Sequence, residues 1–319
     1  MSGYLKSWVI FIVGVGRSGT SLLQSMLHAH PEIAFLPETH FFRRYVARPL
    51  HRRRHEQAGA AAFRSTLTND EEYHRAGISP SEILKPFLEG GRDLDVVEAY
   101  ARLLERYRVQ KGATVVGAKD PRLIDYLDVL HRAFPEASVL HIVRDPRDVL
   151  LSRMKADWSA GRPDWLHALT YRAQIRRGRQ QGRKCFRERY MEVQYEKLLT
   201  DPEQALHAVA EHIGIPYSDA MLAFGSAAQE LVDERERAWK KETMGPLLTA
   251  NKEKWRDGLS RQQVRMVEAV CERAFRWFDY ERAGLSPDGA SYAQRAMLWV
   301  APFIGGGFEM LYAAVSRFR

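Results

Sequence analysis

Apolar residues along the chain gather in short runs, separated by longer stretches with helical spacing. Trp8–Val15 (WVIFIVGV), Thr114–Lys119 (TVVGAK), Ser138–Asp145 (SVLHIVRD) and Arg189–Glu196 (RYMEVQYE) read as strands. The first and third are nearly continuous in apolar residues, the pattern of strands covered on both faces. Helix starts stand between them. Ser79 is followed by Pro80 and, three residues after the serine, by Glu82; Thr200 pairs with Glu203 and Ser260 with Gln263 in the same way. Such pairs satisfy the free amides of a first helical turn. Strands alternating with helices predict an α/β fold, with a doubly wound, mostly parallel central sheet flanked by helices. Ligands of such sheets bind beyond the carboxyl ends of the strands.

Two regions depart from this rhythm. Residues 43–75 carry many arginines and histidines (RRYVARPLHRRRHEQ) and an alanine run. They read as a helical insertion over the sheet edge that acts as a lid, bounded at 43–110 within a main domain of residues 1–285. Residues 286–319 form an apolar C-terminal appendage. From Ala296 to Val315 it is about long enough to span a bilayer. Pro302, Gly305–Gly307 and Glu309 interrupt it, and Arg295, Arg317 and Arg319 flank it together with Trp299 and Tyr312. That pattern suits an interfacial or re-entrant anchor. The alternative is a helix packed on the domain or on a second subunit.

Composition narrows the class. With 319 residues, 45% hydrophobic and 28% charged, the chain reads as a folded protein with a sizeable core. The 48 Lys and Arg against 40 Asp and Glu give a net charge of +8. This suits an anionic ligand, an anionic membrane surface or nucleic acid, and equally a solvated basic surface. Two cysteines, Cys185 and Cys271, build neither a disulfide framework nor a thiolate metal site, so a reducing cytoplasm is expected. The run after Lys6 is short and lacks a small-residue cleavage site, which favours a buried first strand over a signal peptide.

The first strand runs into Gly14-Val15-Gly16-Arg17-Ser18-Gly19-Thr20-Ser21 and then the apolar helix LLQSML. A glycine-rich turn feeding a helix N-terminus presents backbone N–H groups to an anion. In a nucleotide-hydrolysing P-loop, Lys and Ser/Thr follow the second glycine. Here Thr20 stands at the lysine position, and the cation is Arg17, inside the loop. Such a turn taken alone is also an ordinary structural turn. Downstream, HIVRDPRDVLLSRM places Arg144 at a strand end and Ser152 eight residues on, two turns into the following helix. The arginine fork there suits a phosphate.

Together these segments resemble the sulfotransferases that use 3′-phosphoadenosine-5′-phosphosulfate, most closely the heparan, protein-tyrosine and bacterial members. GRSGTSLL is similar to their 5′-phosphosulfate loop and HIVRDPRDVLLS to their 3′-phosphate motif. VGAKDPRL is similar to their lysine segment, VQYEKLLTDPEQALHAVAEHIGIPY to the run that follows, and TANKEKW to the late basic loop. The resemblance covers about residues 8–280. It implies that Arg17, Ser18, Gly19, Thr20 and Ser21 bind the 5′-phosphosulfate, that Arg144 and Ser152 hold the 3′-phosphate, and that Tyr195 and Lys254 close on the nucleotide. It places Lys119 against the transferred group and Glu38, in AFLPETHFF, as the base. His40 is the rival base, and a helix-capping role for Glu38 is the plain alternative; His141 reads as core.

Sulfuryl transfer needs an in-line nucleophile, a base and cations around the transferred group, with no metal required in principle. No Walker-B-type strand and no carboxylate cluster at metal spacing stands out. The expected partners are the sulfate donor and a carbohydrate, lipid or small-molecule acceptor offering a hydroxyl or amine, with a membrane surface or a second copy of the chain as further options and no nucleic acid. The competing readings are a P-loop kinase or NTPase with a degenerate loop, and a nucleotide-binding membrane protein without catalysis. The expected location is cytoplasmic, with peripheral membrane contact through the tail.

Overall fold

The computed structural model describes residues 8–156, 159, 161–231, 245, 247–285 and 306–312. Five strands form one sheet in the order β2-β3-β1-β4-β5, and every pairing is parallel. The strands are β1 (Val9–Gly14), β2 (Ile33–Leu36), β3 (Val115–Lys119), β4 (Ser138–Val143) and β5 (Tyr190–Gln194). The expected α/β sheet is present, and four of its strands lie within the apolar runs. β1 to β4 are buried along their whole length, and β5, at an edge, is half-covered. β2 is an addition: the run Ile-Ala-Phe-Leu is only four residues long and shows no alternation.

The register aligns the strand ends that carry the chemistry. β1 is central, with β3 and β4 on either side; Ile12 lies opposite Lys119, and Gly14 opposite Ile142. The turn after β1 therefore emerges between Lys119 at the end of β3 and Arg144 just beyond β4.

Helices cover both faces. On one, the π-helical turn Phe42–Val46 and helices α2 (Pro49–Thr68), α3 (Glu71–His74), α4 (Pro80–Leu88), α5 (Val96–Gln110) and α6 (Leu127–Ala133) share a core with β1 and β3. Phe41, Phe63, Tyr73 and Tyr100 are buried there, and each such aromatic contributes about 1.5–3 kcal/mol of burial. The Arg/His-rich segment is thus helical, as expected, with an apolar side built into the main core. On the other face pack α1 (Thr20–His28), α9 (Tyr195–Thr200) and α10 (Pro202–Ile213). A third cluster joins α7 (Pro146–Met154) and α8 (Asp164–Phe186) to the helices Arg261–Val270 and Glu272–Phe278.

Two of the three expected helix starts hold as full capping boxes, at Ser79 with Glu82 and at Ser260 with Gln263. The third shifts by one residue. Asp201, not Thr200, caps α10 and accepts from the Gln204 amide at 3.3 Å. Thr200 ends α9 instead, its hydroxyl bonded to the Glu196 carbonyl at 3.0 Å.

Most of the apolar tail, including 286–305 and 313–319, lies outside the described residues. Residues 306–312 are helical and dock on α8. Glu309 pairs with Arg172 at 2.8 Å and also with Arg176, and the Tyr312 hydroxyl reaches Asp125 at 3.1 Å. Among the described residues no helix is long and apolar enough to cross a membrane.

Candidate active site

The turn after β1 is tightly built. A Cβ on Gly14 would come within 2.7 Å of the Ile142 carbonyl oxygen, so the loop leaves β1 pressed against β4. The Ser18 amide closes the turn on the Val15 carbonyl at 3.0 Å. Arg17 adopts a left-handed backbone with φ 79°, a conformation that persists in a non-glycine residue only where its surroundings enforce it. Its Nε–H donates to Ser152 Oγ at 2.9 Å, and its carbonyl lies 3.5 Å from Arg144 Nη1. Gly19 also needs positive φ, 92°, and a Cβ there would sit 2.2 Å from the Tyr195 ring. It starts α1 without a side-chain cap, which leaves the first-turn amides for an anion. Ser18 is fully buried, and among the described residues its Oγ has no hydrogen-bond partner.

Arg144 is positioned by the sequence that follows it. Asp145 caps α7, accepting from the Arg147 amide at 2.8 Å, and Pro146 occupies the first turn. The Arg144 carbonyl accepts from the Tyr171 hydroxyl at 2.7 Å. Its guanidinium lies 4.3 Å over the Tyr195 ring, and Nη2 donates to the Asn251 carbonyl at 2.9 Å. Nε is buried without a hydrogen-bond partner among the described residues. Asp148, one turn on, stands 3.7 Å from Nη2. Burial pushes the Asp148 carboxyl above its ordinary value, against the pull of Arg144.

At the end of β3, Lys119 is almost fully buried and ion-paired with Glu38, which follows β2. His40, also left-handed with φ 53°, turns Nδ1 to Asp120 Oδ2 at 3.0 Å and stands 3.8 Å from Glu38 Oε1. Arg43 Nε pairs with the same Asp120 oxygen at 2.9 Å. Burial pushes the Asp120 carboxyl up, yet the His40 hydrogen bond and the Arg43 charge outweigh it and hold the group well below the ordinary carboxylate range. Glu38, His40 and Asp120 offer ligand atoms within 4.8 Å of one another, a cluster that the sequence spacing did not suggest. Lys119 and Arg43 already ion-pair with its two carboxylates.

Most of the expected site residues therefore come together. Arg17, Ser18 and Gly19 form the turn, and Thr20 and Ser21 open α1, the Ser21 carbonyl accepting from the Ser25 hydroxyl at 3.0 Å. Arg144, Ser152 and Tyr195 meet that turn from β4, α7 and α9, and Glu38, His40 and Lys119 cluster one strand away. Lys254 is exposed, on a segment whose neighbouring amides are fastened beside Arg144. His141 is buried in the core, as expected. Three residues of the site went unremarked in the sequence: Asp120, Asp148 and Asn251. Each stands inside a quoted motif, and spacing alone gives no sign of the tertiary contact it makes.

A sequence profile of the sulfotransferase family matches residues 10–219, a span that holds every expected site residue except Lys254. The chain is 30% identical over 218 residues to protein-tyrosine sulfotransferase 2 of Gallus gallus, covering 67% of this chain and 53% of that protein. It is 29% identical over 224 residues to protein-tyrosine sulfotransferase of Drosophila melanogaster, 67% and 39% respectively. The chain thus spans about half or less of the length of these two relatives. In fold it is similar to the sulfotransferase domain of the Synechococcus PCC 7002 olefin synthase, with a TM-score of 0.59, 21% identity, and coverage of 86% of this chain and 94% of that domain. The loop after β1, the arginine after β4 and the matched span agree: the chain belongs to the sulfotransferase family.

Proposed function

We propose that this chain transfers a sulfuryl group from 3′-phosphoadenosine-5′-phosphosulfate to a hydroxyl acceptor. The observation that carries the reading is the joining of the two anion motifs through Arg17 and Ser152, with the Lys119–Glu38 pair at the end of the adjacent strand. The residues fit such a donor. Among the described residues Ser18 Oγ and Arg144 Nε are buried polar atoms without partners, and α1 starts without a side-chain cap; groups of this kind are costly unless a ligand satisfies them.

The donor supplies an activated sulfuryl group on a phosphate leaving group. The chain's residues do the rest. The turn amides and Arg17 hold the 5′ end, and Arg144 and Ser152 hold the 3′-phosphate. Glu38 accepts the proton of the acceptor hydroxyl as the oxygen–sulfur bond forms and the sulfur–phosphate oxygen bond breaks, its electron pair leaving on 3′,5′-adenosine diphosphate. Lys119 fixes the Glu38 carboxylate and meets the negative charge of the transferred group. The step needs no metal. The relatives' names make a tyrosine hydroxyl in a peptide the first acceptor to test, beside carbohydrate and lipid hydroxyls.

The test is incubation with ³⁵S-labelled donor and, separately, a tyrosine peptide, a carbohydrate extract and a lipid extract, with γ-³²P-ATP as the competing donor. Transfer of ³⁵S to one class supports the reading and identifies the acceptor. Transfer of ³²P alone establishes a kinase instead.

A further inference from the structure

We propose that Asp148 and Asn251 are positioning residues of the nucleotide site, fastening the segment Thr249–Trp255 to Arg144 and Tyr195 so that this segment and the phosphate-binding arginine act as one unit. The inference rests on reading Arg144 as a ligand of the nucleotide.

Asp148 is almost fully buried in α7, where an uncompensated carboxylate is costly. Its closest partners are on the far segment: Oδ2 accepts from the Glu253 amide at 2.8 Å and Oδ1 from the Trp255 amide at 2.9 Å. Arg144 Nη2 is farther, at 3.7 Å. Two direct amide bonds against one longer ion pair make holding the segment its first role and screening Arg144 its second. The held backbone is unusual, since Glu253 has φ 55°, left-handed for a non-glycine residue. Such a conformation persists only where neighbouring bonds enforce it, and the Asp148 bond falls on that residue.

Asn251 completes the fastening from the other end. It is buried, its Nδ2 donates to the Tyr195 hydroxyl at 2.8 Å, and its carbonyl accepts from Arg144 Nη2 at 2.9 Å. Tyr195 lies under the Arg144 guanidinium and against Gly19 of the turn. A continuous set of contacts therefore runs from the turn after β1 through Tyr195 and Asn251 to Arg144, and through Asp148 to Trp255. Displacing the segment removes an acceptor from Arg144 and a brace from Tyr195 together.

The test uses the full chain and 3′,5′-adenosine diphosphate as the probe. Calorimetry gives its affinity for the wild type, Asp148→Asn and Asn251→Ala. Hydrogen exchange at the Glu253 and Trp255 amides is followed without and with the nucleotide. Asn at 148 sets an NH₂ against one backbone N–H, so affinity falls about tenfold and both amides exchange faster in the nucleotide-free variant. Asn251→Ala, which keeps every charge, weakens binding similarly, with unchanged far-UV circular dichroism. In the wild type, nucleotide slows exchange at both amides. Equal or tighter binding by Asp148→Asn overturns the inference, because Asp148 is then only a competing negative charge; so does unaltered exchange at the two amides. A wild type that fails to bind the probe overturns the reading of Arg144 and this inference with it, whereas wild-type binding with unaffected variants overturns the inference alone.

Discussion

Arg17 donates its Nε–H to Ser152 Oγ at 2.9 Å, a contact between residues 135 apart in the chain. It joins the turn after β1 to the helix after β4. It also holds the loop's cation, Arg17, in its left-handed conformation inside the turn, while Thr20 takes the position at which a nucleotide-hydrolysing P-loop carries its lysine. Ser152→Ala removes the acceptor that parks the guanidinium. A hydrogen bond donated by a guanidinium is charge-assisted and worth about 1.5–3 kcal/mol, so the affinity for 3′,5′-adenosine diphosphate falls about 10- to 150-fold in calorimetry. An unchanged affinity shows that the contact has no part in holding the nucleotide.

Glu38 and His40 compete for the role of base, and their surroundings separate them. His40 Nδ1 is committed to Asp120, whereas Glu38 is fixed by Lys119. Glu38→Gln keeps the shape and removes the proton acceptor, so kcat drops about 10²–10⁴-fold while the KM for the sulfate donor changes little. A Gln variant with full turnover transfers the role to His40.

Gly19 is set by two constraints at once: φ 92° and a Tyr195 ring 2.2 Å from the place of a Cβ. Gly19→Ala strains the turn by about 1–3 kcal/mol and displaces Tyr195 from under Arg144. The melting temperature falls and nucleotide binding weakens by more than the stability loss accounts for. A variant with wild-type affinity refutes the packing of Tyr195 on the turn.

Buried His141 ties stability to pH. Burial, and then the Arg179 charge, lower its pKa from 6.5 to about 3; Nδ1 bonds the Tyr190 hydroxyl, and Nε2 has no partner among the described residues. The folded state thus holds a neutral imidazole that the unfolded chain protonates below 6.5. The stability of the neutral form is fully present above that pH. It declines as pH falls from 6.5 toward 3, by up to about 1.4 kcal/mol per pH unit. Urea melts at pH 7, 5.5 and 4.5 should show this slope, and His141→Gln should flatten it. Parallel slopes for the two proteins disprove the assignment.

Much of this arrangement was legible because it is local. A strand running into Gly-x-Gly-Arg-Ser-Gly-Thr, and a strand ending in Arg-Asp-Pro, announce themselves by spacing, as do the caps at Ser79 and Ser260. What escaped depends on distant partners. β2 is too short to show a period, and its assignment follows from pairing with β3. Asp201 replaced Thr200 as a cap because two helices abut there. Asp148 lies in a motif read for its arginine, and its amide partners stand 105 and 107 residues away. Asn251 was passed over for Lys254, since a basic residue is the visible signal for a phosphate and a carbonyl bracing an arginine is not.

The central claim is that the arginine after β4 recognises a 3′-phosphate while the turn after β1 holds the 5′ end. Calorimetric titration of wild type and Arg144→Ala with 3′,5′-adenosine diphosphate and with 5′-ADP tests it most directly. The account predicts that the wild type prefers the 3′-phosphorylated nucleotide by about 10- to 150-fold, the worth of a charge-assisted bond of about 1.5–3 kcal/mol. It also predicts that Arg144→Ala erases the preference. Equal affinities in the wild type, or a preference that survives in Arg144→Ala, would contradict it.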